Sequence, residues 1–495
     1  MNRKGLVLAV ILAFLIGMAT HAAGQTETPA EPGTTAQPGA PAAPGTAVEP
    51  ERSTTFGAGM VPVTPPSLER PDPFAPAAIT GPLGPAGPVG LPGPTRYEIR
   101  PFVTIEEQYT SNVDLAPEGP AKKEDWITTI YPGIALVRND ARFGADLNYR
   151  AGFNFYAHES DRNYVSHDGT LNLRYNPDPR LTFRLREYLR YSEDPVQGLT
   201  GAGQTGSQLT SYAGRQKYLR NVVEPAVDYL LSRDSTVGLY YRNNILRNDS
   251  SAYEDSTENY IGPRMTYWFN QRNGITLEYG YTVGEFSQNT PDLKGHRAYG
   301  RYNYRVSPGT TVFADYEFLY RDYEDPGTDY TVNAPTVGVE YAFSPTLIGV
   351  AQGGYYWQNP EGIEGKDAFK GLLSLTQRDR LTTYSLVLES GYREELFTTE
   401  NLGFAQYYRG SAVVNHRLTE QFSVGLVGIV ERAEYTQTPR EDWIYTADAT
   451  ANYQILRWLA IGARAGYREI DSNVPSASYE EWHVFLNLTA SYNDF

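Results

Sequence analysis

The sequence contains no cysteine, only six histidines and, after its first residues, no long apolar run. The absence of cysteine excludes disulfide frameworks, thiolate metal sites and cysteine nucleophiles. No apolar stretch of ~18 residues follows Met18, so we expect no membrane-spanning helix. The net charge of −16 disfavours a nucleic acid partner. The chain also lacks a G-x-S-x-G sequence, a metal-binding histidine pair and a patterned acidic loop, and we therefore expect no catalytic residue, cofactor or metal.

The N-terminal residues are typical of an exported protein. Arg3 and Lys4 precede a short apolar stretch that ends at Met18, and small residues follow it, which predicts a signal peptide over residues 1–24. Residues 25–95 hold half of the 34 prolines, with many Ala, Gly and Thr residues. This composition cannot bury enough apolar surface to offset chain entropy, so we expect a disordered periplasmic tether.

The remaining residues, 96–495, are divided by nine short turn clusters at near-equal intervals. Consecutive clusters are 34–41 residues apart, with one gap of 56 residues. Two membrane strands of ~10 residues, one tight turn and one longer loop have about this length. The clusters centre on Asn139, Pro177, Arg233, Arg272, Pro308, Pro345, Asp379, Glu420 and Arg457.

Between the clusters, apolar and polar residues alternate, which places them on opposite faces of a strand. At 143–155, for example, Phe143, Leu147 and Phe153 share one phase, and Asp146 and Arg150 share the other. Nine turns join eighteen strands, and one more strand lies at each end. The sequence therefore predicts an all-β fold, a transmembrane antiparallel β-barrel of about 20 strands (18–22).

A soluble β-sandwich also alternates, but two features favour the barrel. Arg and Asp recur on the polar face in the middle of the strands, and short connections alternate with long ones. We expect Glu187 and His167, which are in the apolar phase, to lie near the rim. The C-terminal Phe495 is the candidate signal for the barrel assembly machinery, although it is out of phase with Tyr492. The expected location is the bacterial outer membrane, with its lipid and lipopolysaccharide as partners.

Two segments of the first hairpin carry a family resemblance. Tyr109-Thr110-Ser111-Asn112-Val113 opens the first loop, and Asp125-Trp126-Ile127-Thr128-Thr129-Ile130-Tyr131-Pro132-Gly133-Ile134 begins the second strand. This pattern resembles the putative β-barrel porin 2 family of outer-membrane proteins, whose members usually have Asp where this chain has Ser111. The resemblance implies a porin-like role and an association with exopolysaccharide export components. It implies no catalytic residues.

The polar phase of the clearest strands is rich in arginine. Fixed positive charge in a lumen favours anions, whereas arginine–carboxylate pairs that brace the wall are the alternative. The predicted inward basic residues are Arg142, Arg150, Arg174, Arg184, Arg186, Arg190, Arg297, Arg301, Arg305, Arg321, Arg464 and Arg468. The predicted inward acids are Asp146, Asp168, Glu278, Asp315, Glu317 and Asp448.

The longest loop, about 192–214, is the third on the outer side and resembles a constriction loop. Gly198, Gly201, Gly203 and Gly206 would let it bend inward, and a mobile surface loop is the alternative. The predicted function is a porin-like channel that passes small solutes or assists exopolysaccharide export. A non-conducting structural or adhesion barrel is the alternative. A barrel enzyme, with His158 beside Glu159, Ser160 and Asp161, is less favoured because no catalytic motif accompanies them.

Overall fold

In a computed structural model, residues 96–193, 215–288, 290–362, 364–398 and 400–492 are described, and 20 antiparallel strands account for most of them. The predicted signal peptide, tether, loop glycines 198–206 and Phe495 lie outside these residues. The strands are β1 Arg96–Thr110, β2 Asp125–Asn139, β3 Phe143–Tyr156, β4 Tyr164–Asp178, β5 Leu181–Ser192, β6 Tyr218–Ser232, β7 Ser235–Asn248, β8 Ser256–Trp268, β9 Asn273–Phe286, β10 Leu293–Ser307, β11 Thr310–Tyr323, β12 Tyr330–Ser344, β13 Leu347–Pro360, β14 Asp367–Arg378, β15 Thr382–Glu395, β16 Gly403–Arg417, β17 Phe422–Tyr435, β18 Glu441–Leu456, β19 Leu459–Ser472 and β20 Tyr479–Ser491.

The sheet closes on itself. Each strand pairs with its neighbours in sequence, and β1 pairs antiparallel with β20, so that Phe102 lies opposite Ser491 and Thr110 opposite His483. Closure removes the edges that an open sheet would expose. The predicted fold class, a closed all-β barrel of 20 strands, is confirmed.

The connections alternate in length as predicted. Nine short turns follow the even-numbered strands β2 to β18, at the cluster positions found in the sequence, and we call this end the turn side. The opposite end, the loop side, has the longer connections. Side chains close several of the short turns: Asp140 Oδ1 accepts the N–H groups of Arg142 and Phe143, at 2.9 and 2.7 Å. Such local bonds are why Asp, Asn and Ser mark turns in the sequence.

The outer surface is apolar and aromatic. The phase that alternation predicted to face outward is exposed in strand after strand, as for Phe153 and Leu388. Exposed aromatic residues gather near both ends of the strands. On the turn side they include Tyr175, Phe183, Tyr229, Tyr267, Phe269, Tyr341, Phe343, Tyr453 and Trp458, and on the loop side Trp126, Tyr355, Trp357, Trp443 and Trp482. Two aromatic belts that flank an apolar band are the surface of a barrel that sits in a bilayer. Among the described residues, no helix is long and apolar enough to cross a membrane.

Candidate functional site: the constricted lumen

Contacts between strands that are not neighbours identify the face that lines the lumen. Glu317 on β11 accepts a hydrogen bond from Lys370 Nζ on β14, at 2.6 Å. In the loops, Asn401 Nδ2 between β15 and β16 donates to Glu254 Oε2 between β7 and β8, at 3.0 Å. Glu317 and Lys370, on strands three positions apart, can meet only across the interior of a closed barrel.

Burial along the lumen face changes from one end of the barrel to the other. On β6 the four inward residues nearest the loop side, Tyr218, Arg220, Val222 and Glu224, are buried, and those nearer the turn side are not. The same gradient occurs on β2 and β12. The lumen is therefore filled on the loop side and accessible on the turn side.

Part of this filling comes from a hairpin of the wall itself. The ladder between β14 and β15 ends at Gly371 and Ser390, although β14 continues to Asp367 and β15 to Glu395. Pairing between β15 and β16 continues up to Glu395 and Gly403. The loop-side part of this hairpin thus separates from β14. We call residues 391–398 and 400–407 the inserted hairpin.

The inserted hairpin packs against the lumen faces of β11–β13. Glu394 accepts two hydrogen bonds from the Arg321 guanidinium, at 2.8 and 2.6 Å, and a third from the Tyr330 hydroxyl. The rings of Tyr392 and Tyr356 lie 5.0 Å apart between centroids. Arg321, Tyr330 and Tyr356 lie on strands beyond β14, so the hairpin must pass inside β14 to contact them.

The tip of the hairpin reaches farther across the lumen. Phe397 stacks on Phe286 of β9, with ring centroids 5.2 Å apart, and is buried with Leu293. Phe397 and Asn401 have φ values of 58° and 46°, a region that side chains larger than glycine rarely adopt. Such conformations persist where the surrounding structure determines them. The tip is thus held in one conformation by contacts with the opposite wall.

A second buried cluster holds the other face of the hairpin. Glu431 of β17 is fully buried and receives hydrogen bonds from Arg393 and from Arg409, the latter at 2.6 Å. Arg409 also donates to Glu389 at 2.8 Å, and Arg393 to Glu395 at 2.7 Å. Each guanidinium is shared by two carboxylates, which is the arrangement that buried charges require.

The arginines predicted from the strand phase are mostly paired. Among those twelve, all but Arg142 and Arg174 have a carboxylate within ion-pair distance: Arg150 and Arg190 contact Asp168, Arg184 contacts Asp228, Arg186 contacts Glu224, Arg297 contacts Glu317, Arg301 contacts Asp315, Arg305 contacts Asp234, Arg321 contacts Glu394, Arg464 contacts Asp448 and Arg468 contacts Glu481. Arg174 instead donates to Asn139 Oδ1 at 3.0 Å. Arg142 differs from the prediction: it lies in the turn before β3, because Asp140 closes the turn there. Asp146 is exposed on β3.

Two of the arginine–carboxylate pairs between β5 and β6 present their positive ends. The Arg184 side chain is 46% exposed and its partner Asp228 20%, and Arg186 is 44% exposed and its partner Glu224 10%. At these two pairs the guanidinium group is therefore more accessible to a solute than the carboxylate, whereas in the pair of Arg305 and Asp234 the carboxylate is the more exposed, at 50% against 34%. The arginines that brace the wall through their carboxylate partners therefore also supply exposed positive charge.

The residues that carry the family resemblance organise the first two loops. Asn112 Oδ1 accepts the N–H of Ala116 at 2.9 Å, and its Nδ2 donates to the carbonyl of Glu480 on β20 at 3.0 Å. The buried Asp125 accepts the N–H groups of His158 and Glu159 and contacts His158 Nδ1 at 3.0 Å. These side chains fold the first and second loops, which explains why the motif marks a hairpin. Among the described residues, no group of three or more His, Asp or Glu side chains could hold a metal ion.

Together, the closed sheet, the aromatic belts and the lined lumen define a porin-like β-barrel of the outer-membrane type. Residues 282–492 match the family model described as "Putative beta-barrel porin 2". This match lies in the second half of the barrel, away from the first hairpin, and it confirms the predicted resemblance. No curated protein matches the chain.

Solved structures with a similar fold have very different sequences. The siderophore receptor PirA from Pseudomonas aeruginosa is 11% identical, with a TM-score of 0.46 and 80% of each chain covered. The FrpB iron transporter from Neisseria meningitidis is 9% identical, with a TM-score of 0.47 and coverage of 79% of this chain and 82% of that chain. OccAB4 from Acinetobacter baumannii is 10% identical, with a TM-score of 0.39 and coverage of 80% and 98%. Nothing about substrate follows from similarity at this level.

A pH dependence of the constriction is expected from Glu400, in the loop between β15 and β16. Burial raises the pKa of Glu400 to about 7, and Arg440 Nη1, 3.0 Å from its carboxylate, opposes the shift. The other ionisable groups around it are Glu395, Asp442 and Tyr253. Because the folded loop favours the protonated form, its anchoring is complete below the ordinary glutamate pKa and weakens as the pH rises through about 7. We expect a larger single-channel conductance at pH 8 than at pH 6.

The Glu400→Gln variant should lose this dependence, because its side chain does not titrate. Glu361→Gln, at an exposed position of the loop between β13 and β14, is the matched control and should keep it. Equal conductance of the unmodified protein at the two pH values would contradict this role of Glu400.

Proposed function

We propose that this protein is an outer-membrane channel for small solutes, constricted on its loop side by the inserted hairpin and lined on its turn side by exposed guanidinium groups. The observation that carries the proposal is the burial gradient of the lumen face. A barrel of 20 strands is too wide for its wall side chains alone to fill. Solutes can therefore pass unless an inserted segment of the chain closes the lumen. Here the inserted hairpin narrows one half, and the other half stays accessible as a vestibule.

The bilayer location rests on the outer surface. The apolar side chains between the two aromatic belts are more stable in contact with lipid than with water. A closed barrel also leaves no backbone group unpaired toward lipid. We therefore propose the outer membrane, with the short turns on the periplasmic side and the long loops outside. Fractionation of producing cells tests this proposal: the protein should appear with the outer-membrane fraction and remain heat-modifiable on SDS gels, and recovery in the soluble fraction would contradict it.

The exposed guanidinium groups predict a preference for anions. In planar bilayers with a salt gradient, the reversal potential should have the sign of an anion-preferring pore. Substitution of Arg184 and Arg186 by Gln should shift the permeability ratio toward cations, because Asp228 and Glu224 would then dominate the vestibule. The ratio should stay unchanged when Arg233 and Arg272, which are exposed in the short turns, are both replaced by Gln. A cation-preferring unmodified pore would contradict the proposal.

A non-conducting structural barrel is the second candidate, and the buried loop side of the lumen favours it. The two candidates differ in conductance: the channel carries a steady current, whereas the structural barrel carries none even when the inserted hairpin is trimmed. A role in exopolysaccharide export, which the family resemblance implies, stays a prediction. Its test is whether loss of the protein blocks release of the polymer from cells.

A further inference from the structure

The outer surface of β5–β8 carries a mostly polar row of residues: Glu187, Asn243 and Asn259, with Val223 between them and Asn221 in contact with Glu187. In the ladder, Glu187 pairs with Val223, Val223 with Asn243, and Asn243 with Asn259. These residues share the phase of exposed apolar residues such as Ile261. The row therefore faces the lipid, where the sequence pattern predicts apolar residues.

Glu187, Val223 and Asn243 lie below the rim, whereas Asn221 and Asn259 are each fourth from the loop-side ends of their strands. Glu187 and Asn243 are each the sixth residue from the loop-side end of their strands. At the same depth on four other strands the outward side chains are apolar, namely Ala298 on β10, Phe318 on β11, Val430 on β17 and Val484 on β20, although Ser390 on β15 is polar. Glu187 is thus deeper than the rim position expected from the sequence. His167, the fourth residue of β4, is closer to the rim and hydrogen-bonds with the Tyr149 hydroxyl at 2.8 Å.

The side chains of the row are only partly satisfied by one another. Asn221 Nδ2 approaches Glu187 Oε1 at 3.4 Å, and Asn243 Nδ2 donates to Asn259 Oδ1 at 3.0 Å. Each amide has two N–H groups, so within the described residues these bonds leave one donor on Asn221 and one on Asn243. A carboxylate acceptor and amide donors therefore lie side by side at a depth where lipid chains offer no partner.

We propose that this polar row is the surface through which a second copy of the chain associates in the membrane. A patch that contains both acceptor and spare donors is self-complementary, which is what a two-fold contact between identical subunits requires. The Glu187 carboxylate of one copy would then accept from the amides of the other. An anionic lipid headgroup fits poorly, because it would meet the same carboxylate. This inference is independent of whether the barrel conducts.

Cysteine crosslinking tests the proposal cleanly, because the chain has no native cysteine. Val223 and Val484 are both sixth from the loop-side end of their strands, on different sides of the barrel. In membranes under mild oxidation, V223C should form a disulfide-linked dimer and V484C should not. Native mass spectrometry of the full chain in mild detergent should give two copies for the unmodified protein.

The variant Glu187→Leu with Asn243→Leu should give one copy, because the polar contacts are lost. Its barrel should still resist unfolding in SDS below boiling, which distinguishes loss of the contact from loss of the fold. A single copy for the unmodified protein, equal crosslinking at positions 223 and 484, or a dimer that survives the double substitution would overturn the proposal. Stoichiometric recovery of a different protein or of lipopolysaccharide at the row would also overturn it.

Discussion

Replacement of residues 391–407 by Asn-Gly is expected to increase the single-channel conductance several-fold. Ser390 and Tyr408 face each other in the β15–β16 ladder, so a two-residue turn can join them directly. The replacement removes Tyr392, Glu394 and Phe397 from the lumen, and the part of the loop side next to β9 and β11–β13 then becomes accessible. The measurement is the unit current in planar bilayers.

The control is a shortened loop that does not cross the lumen. Residues 324–329 connect β11 and β12, and Asp329 in this loop bonds locally with the N–H of Tyr323 at 2.8 Å. Asn-Gly in place of this loop should leave the conductance nearly unchanged. The milder variant Tyr392→Ala with Phe404→Ala should raise it in the same direction. Unchanged conductance in both hairpin variants would show that the hairpin is not the constriction.

The Glu431→Gln substitution is expected to destabilise the barrel by about 3–5 kcal/mol, because it leaves Arg393 and Arg409 buried with too few carboxylates. The Glu431 side chain is fully buried and accepts from both guanidiniums. The measurement is equilibrium unfolding by urea in lipid vesicles, compared with the unmodified protein.

The matched control is Glu441→Gln, which removes a carboxylate from the more exposed pair between Arg432 and Glu441. Ion pairs of that kind contribute about 0–1 kcal/mol, so the control should unfold almost like the unmodified protein. Equal effects of the two substitutions would contradict the view that the Glu431 cluster fastens the inserted hairpin to β17.

The strands and turns could be predicted because their signals are local. Period-two alternation decides which face a residue takes, and turn residues such as Asp140 act on the next few residues of the backbone. The inserted hairpin could not be predicted in this way. Tyr392 and Glu394 on β15, and Phe404 on β16, keep the phase that faces outward in the turn-side part of these strands. No local feature of the sequence shows that the β14–β15 ladder stops at Ser390.

One signal was nevertheless present in the sequence. Arg393, Glu394 and Glu395 are three consecutive charged residues, so at least one of them would face lipid if β15 continued along the wall. Several inward carboxylates were also missed, among them Glu224, Glu389 and Glu431, because only the clearest strands were used to assign charge. The apparent arginine excess therefore came partly from that choice. The exposed ends of the pairs, which decide what a solute meets, depend on tertiary contacts.

A distance across the lumen tests the inserted hairpin most directly. Phe286 lies in β9 and Phe397 follows β15, and these two strands are six positions apart, which along the wall corresponds to about 30 Å. With spin labels at positions 286 and 397 of the otherwise cysteine-free chain, dipolar spectroscopy in lipid bilayers should report a separation well below that value, since the two rings stack in the structure. A distribution centred at the wall distance would contradict the insertion and, with it, the constricted channel.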